Sequence, residues 1–263
     1  MTNLPRSRPF AAAFGVYAWT AFVLLALATV LLLAVLPGLR ARRRLVRASA
    51  RCFFASCGIR VRLRDPALLP AGACVVVANH ASYLDGIVLT AALPASFSFV
   101  IKQEIRKLPL VHLFLRRIGS EFVERFDQRR GAVDARRLLK AAANGSALAF
   151  FPEGTLSQER GLGRFHSGAF VTAARTGLPV VPVLIRGART VLPAGAGLPR
   201  PGGSIDVRIC APVCAESANA GAARRLRDQV RRSMLDELGE PDLAPALEPV
   251  RGRDAAVAAP PTA

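Results

Sequence analysis

The chain has 263 residues, a length that fits one domain of catalytic size with attachments better than several domains. It combines 52% hydrophobic residues with a formal charge of +18, and a soluble enzyme requires neither. Aromatic residues reach only 6%, and the basic residues are not set into a zinc, homeodomain or RNA-binding motif. Composition therefore argues against a nucleic-acid partner and for an anionic membrane surface.

In chain order, residues 1–9 form a short basic N-terminus with Arg6 and Arg8. Residues 10–37, FAAAFGVYAWTAFVLLALATVLLLAVLP, carry no charge. A membrane span needs about 20 apolar residues, whereas the apolar region of a cleaved signal peptide runs to about 7–15, so a retained membrane anchor is predicted. A helix lying in the membrane interface is the alternative, although this segment has no polar face of its own. Residues 38–64 read as a basic juxtamembrane segment with Arg40, Arg42, Arg43, Arg44, Arg47 and Arg51, and no acid precedes Asp65. That asymmetry predicts that the body of the protein stays on the cytoplasmic side, its arginines resting on anionic headgroups.

The catalytic-size domain is expected over 65–238. The apolar run ACVVVAN at 73–79 reads as a strand buried on both faces, followed by a helix over ASYLDGIVLTAAL. A strand at 96–101, a helix over 107–117 and a short strand in SEFVER come next. The helix AVDARRLLKAAANG places Leu138, Leu139 and Ala142 on one face and stops at Asn144 and Gly145. Then come a strand at ALAFF, a helix from His166 to Gly177, and strands at LPVVPVLI and SIDVRICAPV. A basic amphipathic helix over 218–238 carries Leu226, Val230, Met234 and Leu235. Residues 239–263 are Pro- and Ala-rich and are expected to form a disordered tail. Strands alternating with helices predict an α/β domain with a mostly parallel sheet flanked by helices, attached to an N-terminal transmembrane or membrane-embedded helix. Ligands bind at the carboxyl ends of such strands, where His80 and the turn at 152–154 both fall.

Five cysteines, Cys52, Cys57, Cys74, Cys210 and Cys214, show neither CxxC nor zinc spacing and read as reduced thiols. His80, His112 and His166 lack metal-ligand spacing, so no metal is expected. His80 ends the first strand and Asp85 follows five residues on. Either Asp85 turns back to fix the imidazole tautomer and leaves the other nitrogen as a base, or the two merely cap and decorate the next helix. Ser82 as a nucleophile is a weaker option, since the G-x-S-x-G elbow is missing. In FFPEGTLS, Gly154 permits close backbone approach, Thr155 adds a hydroxyl, and turn N–H groups suit phosphate oxygens. Glu153 is awkward beside an anion and is read as holding the loop or accepting from a hydroxyl or a base. Arg125 and Arg164 supply planar forks for a phosphate, with His166 nearby, if these loops meet.

Together these motifs resemble the glycerophospholipid acyltransferase family, of the lysophosphatidic acid acyltransferase type. The first block, N-H-x-S-x-x-D, is matched by Asn79, His80, Ser82 and Asp85. The second resembles Gly119, Phe122 and Arg125, the third Phe151, Pro152, Glu153, Gly154, Thr155 and Ser157, and the fourth Val181, Pro182 and Val183. IKQEIRKLP at 101–109 and FHSGAF at 165–170 are similar to connecting segments of that family, and the likeness runs from about residue 60 to 212.

The resemblance implies that His80 is the general base and Asp85 its partner, with Arg125, Glu153, Gly154 and Thr155 binding the acceptor's phosphate. It implies transfer of a fatty acyl group from acyl-CoA or acyl carrier protein to a lysophospholipid, with 1-acyl-sn-glycerol-3-phosphate as leading acceptor and phosphatidic acid as product. No cofactor is implied, and the expected partners are membrane lipids, the acceptor and acyl carrier protein. The expected location is the cytoplasmic face of a bacterial inner membrane. Leu156 departs from the arginine that follows E-G-T in many members. Either Arg164 compensates, or the acceptor is another lysolipid such as a lyso-ornithine-type aminolipid. A membrane-bound thioesterase and a non-catalytic polyanion-binding protein are the readings from other classes.

Overall fold

The computed structural model describes residues 8–123, 128–216 and 221–244, with backbone alone over 128–135. Two N-terminal helices, α1 (Arg8–Val35) and α2 (Leu39–Ser56), lead into β1 (Arg60–Arg64). The order then runs β2 (Val75–Ala78), α3 (Asp85–Ala92), β3 (Phe97–Lys102), α4 (Pro109–Arg117), β4 (Glu121–Val123), α5 (Gln128–Ala143) and β5 (Ala147–Phe150). It closes with α6 (Gly168–Thr176), β6 (Val180–Arg186), α7 (Ala188–Val191), β7 (Ser204–Ile209) and α8 (Ala222–Leu238).

The seven strands form one sheet in the order β1-β7-β6-β2-β5-β3-β4. β6, β2, β5, β3 and β4 run parallel, while β7 is antiparallel to β6 and parallel to β1. The α/β sheet expected from the alternation is present. β2 sits centrally, and all four of its residues are fully buried. Its side chains alternate between faces. Val76 and Ala78 join a cluster with Phe53, Phe54 and Leu89, whereas Val75 and Val77 join Phe170, Leu226 and Met234. Helices α2 and α3 therefore cover one face, and α5, α6 and α8 the other.

Pro182 lies inside β6 at an interruption of the ladder. One more residue separates Cys210 from Val213 than separates Pro182 from Val180, the partners to which those two bond. The result is a bulge, where the missing proline N–H is least disruptive.

The N-terminal segment forms the long apolar helix expected of a membrane anchor, and the structure adds three features to that expectation. First, α1 lies along the rest of the protein. Trp19 Nε1 donates to Gly197 O at 2.7 Å, Phe22 meets Phe53 edge-on at 5.5 Å, and Arg117 donates to Ala34 O at 3.0 Å near the helix's other end. At Gly15 a Cβ would stand 2.7 Å from Leu198 Cβ, so only glycine permits that approach. The outer face keeps Val16, Val23, Leu24, Leu27, Leu31 and Val35 exposed.

Second, the basic segment folds into α2, and several of its arginines turn inward. Arg43 donates to the carbonyls of Ile118, Ser96 and Gly119 and to Ser98 Oγ, while Arg47 and Arg51 reach the carbonyls of Ala92 and Ala91. Those last two cap the C-terminus of α3, where unpaired carbonyls and the helix dipole favour cations. The hairpin α1–α2 is thus the amphipathic unit that α1 alone could not be.

Third, the segment assigned to 38–64 contains a sheet strand, so the α/β domain begins at Arg60. At the other end, residues 240–244 are bonded to the 160–163 loop, so the expected tail does not start at 239. Residues 245–263 lie outside the described residues.

Candidate active site

β2 stops at Ala78 because the side chain of Asn79 takes over the hydrogen bonding of the next pair. Its Nδ2 donates to Ile185 O at 3.0 Å and its Oδ1 accepts from Ile185 N–H at 2.7 Å, so a side-chain amide stands in for a backbone amide at the strand end. From that fixed point the chain turns sharply. The helix expected from residue 81 begins only at Asp85, because the intervening N–H groups are bound by that residue's carboxylate. Asp85 Oδ2 accepts from Ala81 N–H at 2.6 Å and Ser82 N–H at 2.7 Å, and lies 3.0 Å from His80 Nδ1. Asp85 is fully buried, whereas the His80 side chain is 23% exposed.

The carboxylate thus does two things at once. From the first turn of α3, where the helix dipole favours an anion, it binds the N–H groups of the turn that leads into the helix, and it holds His80 through Nδ1. His80 Nε2 has no hydrogen-bond partner among the described residues. Phe151 stacks on the imidazole with centroids 4.4 Å apart and planes 25° from parallel, which fixes the ring from its other side. Phe151 belongs to the third of the matched blocks, but nothing in the sequence announces its aromatic contact with His80.

Ser82 is fully buried, and its hydroxyl donates to Leu192 O at 2.7 Å while accepting from Leu84 N–H. That hydroxyl ties the His80 turn to the segment after β6, and it does not face the imidazole. A nucleophilic serine is therefore excluded here.

The turn after β5, expected to meet His80, does so through Glu153. Its Oε1 accepts from His80 N–H at 2.7 Å, and its Oε2 accepts from Gly163 N–H at 2.8 Å. Burial pushes its pKa up, and the two backbone donors and His80 pull it back down. Of the two roles left open for Glu153, holding the loop accounts for both oxygens. A Cβ at Gly163 would lie 2.9 Å from Glu153 Oε2, so any side chain there would push that carboxylate from its place. The sequence reading missed Gly163, which sits in a Gly-rich stretch without motif character.

Pro152 is buried, and its carbonyl accepts from His166 N–H at 2.8 Å. Gly154 adopts φ +79, a conformation glycine takes without strain, and its N–H closes the turn on Phe151 O at 3.1 Å. Thr155 and Arg164 are exposed, and Leu156 is half-buried. Gly119, at φ +70, packs against Arg43 and Leu39 of α2, and Phe122 is buried beneath the Arg106 guanidinium and the His112 ring. Pro182 lies in β6 beside Val77. Arg125 lies outside the described residues. The structure therefore brings Asn79, His80, Ser82, Asp85, Pro152, Glu153 and Gly154 together at the carboxyl ends of β2 and β5, while Gly119 and Phe122 flank β4 at the sheet edge. Among the described residues no cluster of metal-ligating side chains occurs, and burial pushes the Cys74 thiol up to about 11, far from a reactive thiolate.

Residues 60–186 match the acyltransferase family model, which sets the class to which this fold and this strand-end turn belong. A chloroplast 1-acyl-sn-glycerol-3-phosphate acyltransferase of Brassica napus is 32% identical over 165 residues, 63% of this chain and 46% of that protein. The chain thus spans a little under half the length of that relative. A 1-acyl-sn-glycerol-3-phosphate acyltransferase of Saccharomyces cerevisiae is 30% identical over 207 residues, 76% of this chain and 68% of that one. This chain belongs to the 1-acyl-sn-glycerol-3-phosphate acyltransferase family. It shares its fold with the crystal structure of the 1-acyl-sn-glycerophosphate (LPA) acyltransferase PlsC from Thermotoga maritima, with a TM-score of 0.71 and 21% identity over 88% of this chain and 97% of that one.

Proposed function

We propose that this protein moves a fatty acyl group from the thioester of acyl-CoA or acyl carrier protein to the free hydroxyl of 1-acyl-sn-glycerol-3-phosphate, giving phosphatidic acid. The observation that carries this reading is the His80–Asp85 contact at 3.0 Å, with Asp85 buried and His80 reachable. Asp85 keeps the proton on Nδ1, so Nε2 presents a lone pair to the acceptor hydroxyl. As that oxygen attacks the thioester carbonyl, Nε2 takes its proton, and Asp85 steadies the imidazolium. Collapse of the tetrahedral intermediate breaks the carbon–sulfur bond, and the imidazolium returns the proton to the departing thiolate.

Oxyanion stabilisation needs donors aimed at the developing charge. The N–H groups of His80, Ala81, Ser82 and Gly154 are all engaged within the protein. Glu153, Thr155 and Leu156 then supply the loop's remaining N–H groups, and Arg125, Thr155 and Arg164 are the residues we assign to the acceptor's phosphate. Leu156 favours a second acceptor reading, a lysolipid of lower headgroup charge such as a lyso-ornithine-type aminolipid.

The site works against a membrane surface. α1 and α2 form a hairpin whose apolar outer face continues into α4, where Leu108, Leu110, Val111 and Leu113 are exposed. Arg106, Lys107, Arg116 and Arg117 border α4 without an acid among them, a collar suited to anionic headgroups. Because α1 is fastened to the body of the protein near both ends, we read it as embedded alongside the domain, on the cytoplasmic face of a bacterial inner membrane.

One experiment tests the reading. The membrane-inserted protein is incubated with lysophosphatidic acid, a lyso-ornithine lipid and other lysolipids, with both thioester types, and products are read by mass. Phosphatidic acid formation that His80→Ala abolishes, in protein that still folds and binds membrane, is expected. Release of free fatty acid alone would identify a thioesterase, and H80A activity near the parental rate would refute the base assignment.

A further inference from the structure

The loop that holds Glu153 is itself held, from a part of the chain remote in sequence. Arg231, on α8, donates from Nε to Gly163 O at 3.0 Å and from Nη2 to Leu162 O at 2.9 Å. The same guanidinium makes a two-point ion pair with Asp242, with Nη1 to Oδ2 at 2.9 Å and Nη2 to Oδ1 as the second contact. It also lies over the buried Phe165 ring at 5.9 Å. Asp242 belongs to a short strap beyond α8 that pairs with the loop like a parallel strand. Leu162 N–H donates to Pro241 O at 2.9 Å, and Leu243 N–H donates to Leu162 O at 3.0 Å.

Two further contacts fix this arrangement. Arg160 reaches Glu240 at 3.5 Å. Gly161 sits at φ +146, where a Cβ would come within 2.6 Å of Pro241 O and of Leu243 Cγ, so the strap approaches as closely as glycine allows. Only 14% of the Arg231 side chain is exposed, and it engages four acceptor atoms on two segments, which a flexible monodentate cation could not do.

Gly163 is the residue at which this fastening meets the site. Its carbonyl accepts from Arg231, and its N–H donates to Glu153, whose other oxygen accepts from His80 N–H. The contacts Asp242–Arg231–Gly163–Glu153–His80 are therefore continuous. We infer that Arg231 and the 240–244 strap are positioning elements for the active site, setting the Glu153–Gly163 loop and through it the His80 turn.

The inference rests on the acyl-transfer reading only for its kinetic consequence, so the test has a readout that needs no activity. Hydrogen exchange is followed by mass spectrometry in the full-length protein, in Arg231→Ala, in Arg231→Lys and in Asp242→Asn. In R231A, faster exchange is expected in 160–165 and also in the peptide carrying His80, whose N–H depends on Glu153. R231K, which keeps the charge but loses the fork, falls between R231A and the parent, and D242N gives the same pattern more weakly.

In acyl transfer, kcat of R231A falls on the order of tenfold and the acceptor KM rises, with the thioester KM unchanged, because a small misplacement of reacting groups is costly. D242N keeps the inference testable if R231A does not fold. Faster exchange confined to 160–165 and 240–244, with the His80 peptide and kcat unchanged, would overturn the inference. A parental protein without acyl transfer would instead sink the functional reading, while the exchange data would still decide the coupling.

Discussion

Replacing Asp85 with Asn separates the two tasks this carboxylate performs. The amide is the same size, so its oxygen can still accept from Ala81 and Ser82 N–H while its NH2 takes the place of Oδ1. That atom is buried without a hydrogen-bond partner, so an NH2 there is no better satisfied. The three contacts to Oδ2, at 2.6, 2.7 and 3.0 Å, lose the strength that a charged acceptor gives them. The difference between charged and neutral hydrogen bonds is about 1 kcal/mol each, which makes a loss of about 3 kcal/mol of stability. For a chain of this size that corresponds to a fall of roughly 6–12 °C in Tm.

The catalytic loss should be larger, because a neutral amide no longer stabilises the imidazolium or enforces its tautomer, a defect worth on the order of 10³–10⁴ in kcat. Thermal unfolding in detergent measures the first effect, and product mass under saturating thioester and lysolipid measures the second. If D85N lost the stability but kept kcat close to the parental value, Asp85 would be a helix-start anion only. His80 would then have to act without an orienting carboxylate.

Two more outcomes are expected. Glu153→Gln should flatten one limb of the stability–pH curve. Burial raises the folded-state pKa of Glu153 above its ordinary value, with His80 and Asp85 the titratable groups facing it, so its contribution is present below the unfolded value near 4.3 and is lost as pH rises through the folded one. Subtracting E153Q from parental stability across that window isolates this group, and a difference that does not fall with pH would refute the sign. Leu110→Asp with Leu113→Asp should weaken flotation with anionic vesicles by more than tenfold, since these side chains are 71% and 52% exposed and burial of a leucine is worth about 1.5–3 kcal/mol. Unchanged flotation would remove α4 from the membrane face.

The parts that could be read from the sequence share a physical cause. β2, β5 and β6 are buried on both faces and announce themselves as apolar runs. β1, RVRLR, is half exposed and looks like more of the basic segment around it. His80 and Asp85 were legible because their partnership is local, within five residues. Asn79, Glu153 and Arg231 bond to backbone groups 106, 73 and 68 positions away, and a backbone amide leaves no mark on residue identity. The inward arginines of α2 were unreadable for the same reason, since their acceptors are carbonyls at the end of α3 and after α4. Proline and alanine content suggested a free tail, yet its first residues are captured by one guanidinium and a single strand-like pairing.

The double hydrogen bond between Asn79 and Ile185 also bears on chemical ageing. Asparagine is among the thermolabile residues. Hydrolysis of that side-chain amide would leave a carboxylate whose second oxygen faces Ile185 O, two acceptors with no proton between them, in a residue only 4% exposed. The loss of one nitrogen at the start of the His80 turn would release the turn from β6 without altering any residue that touches substrate. Asn79→Asp, which makes that change directly, should therefore erode activity before it erodes the sheet.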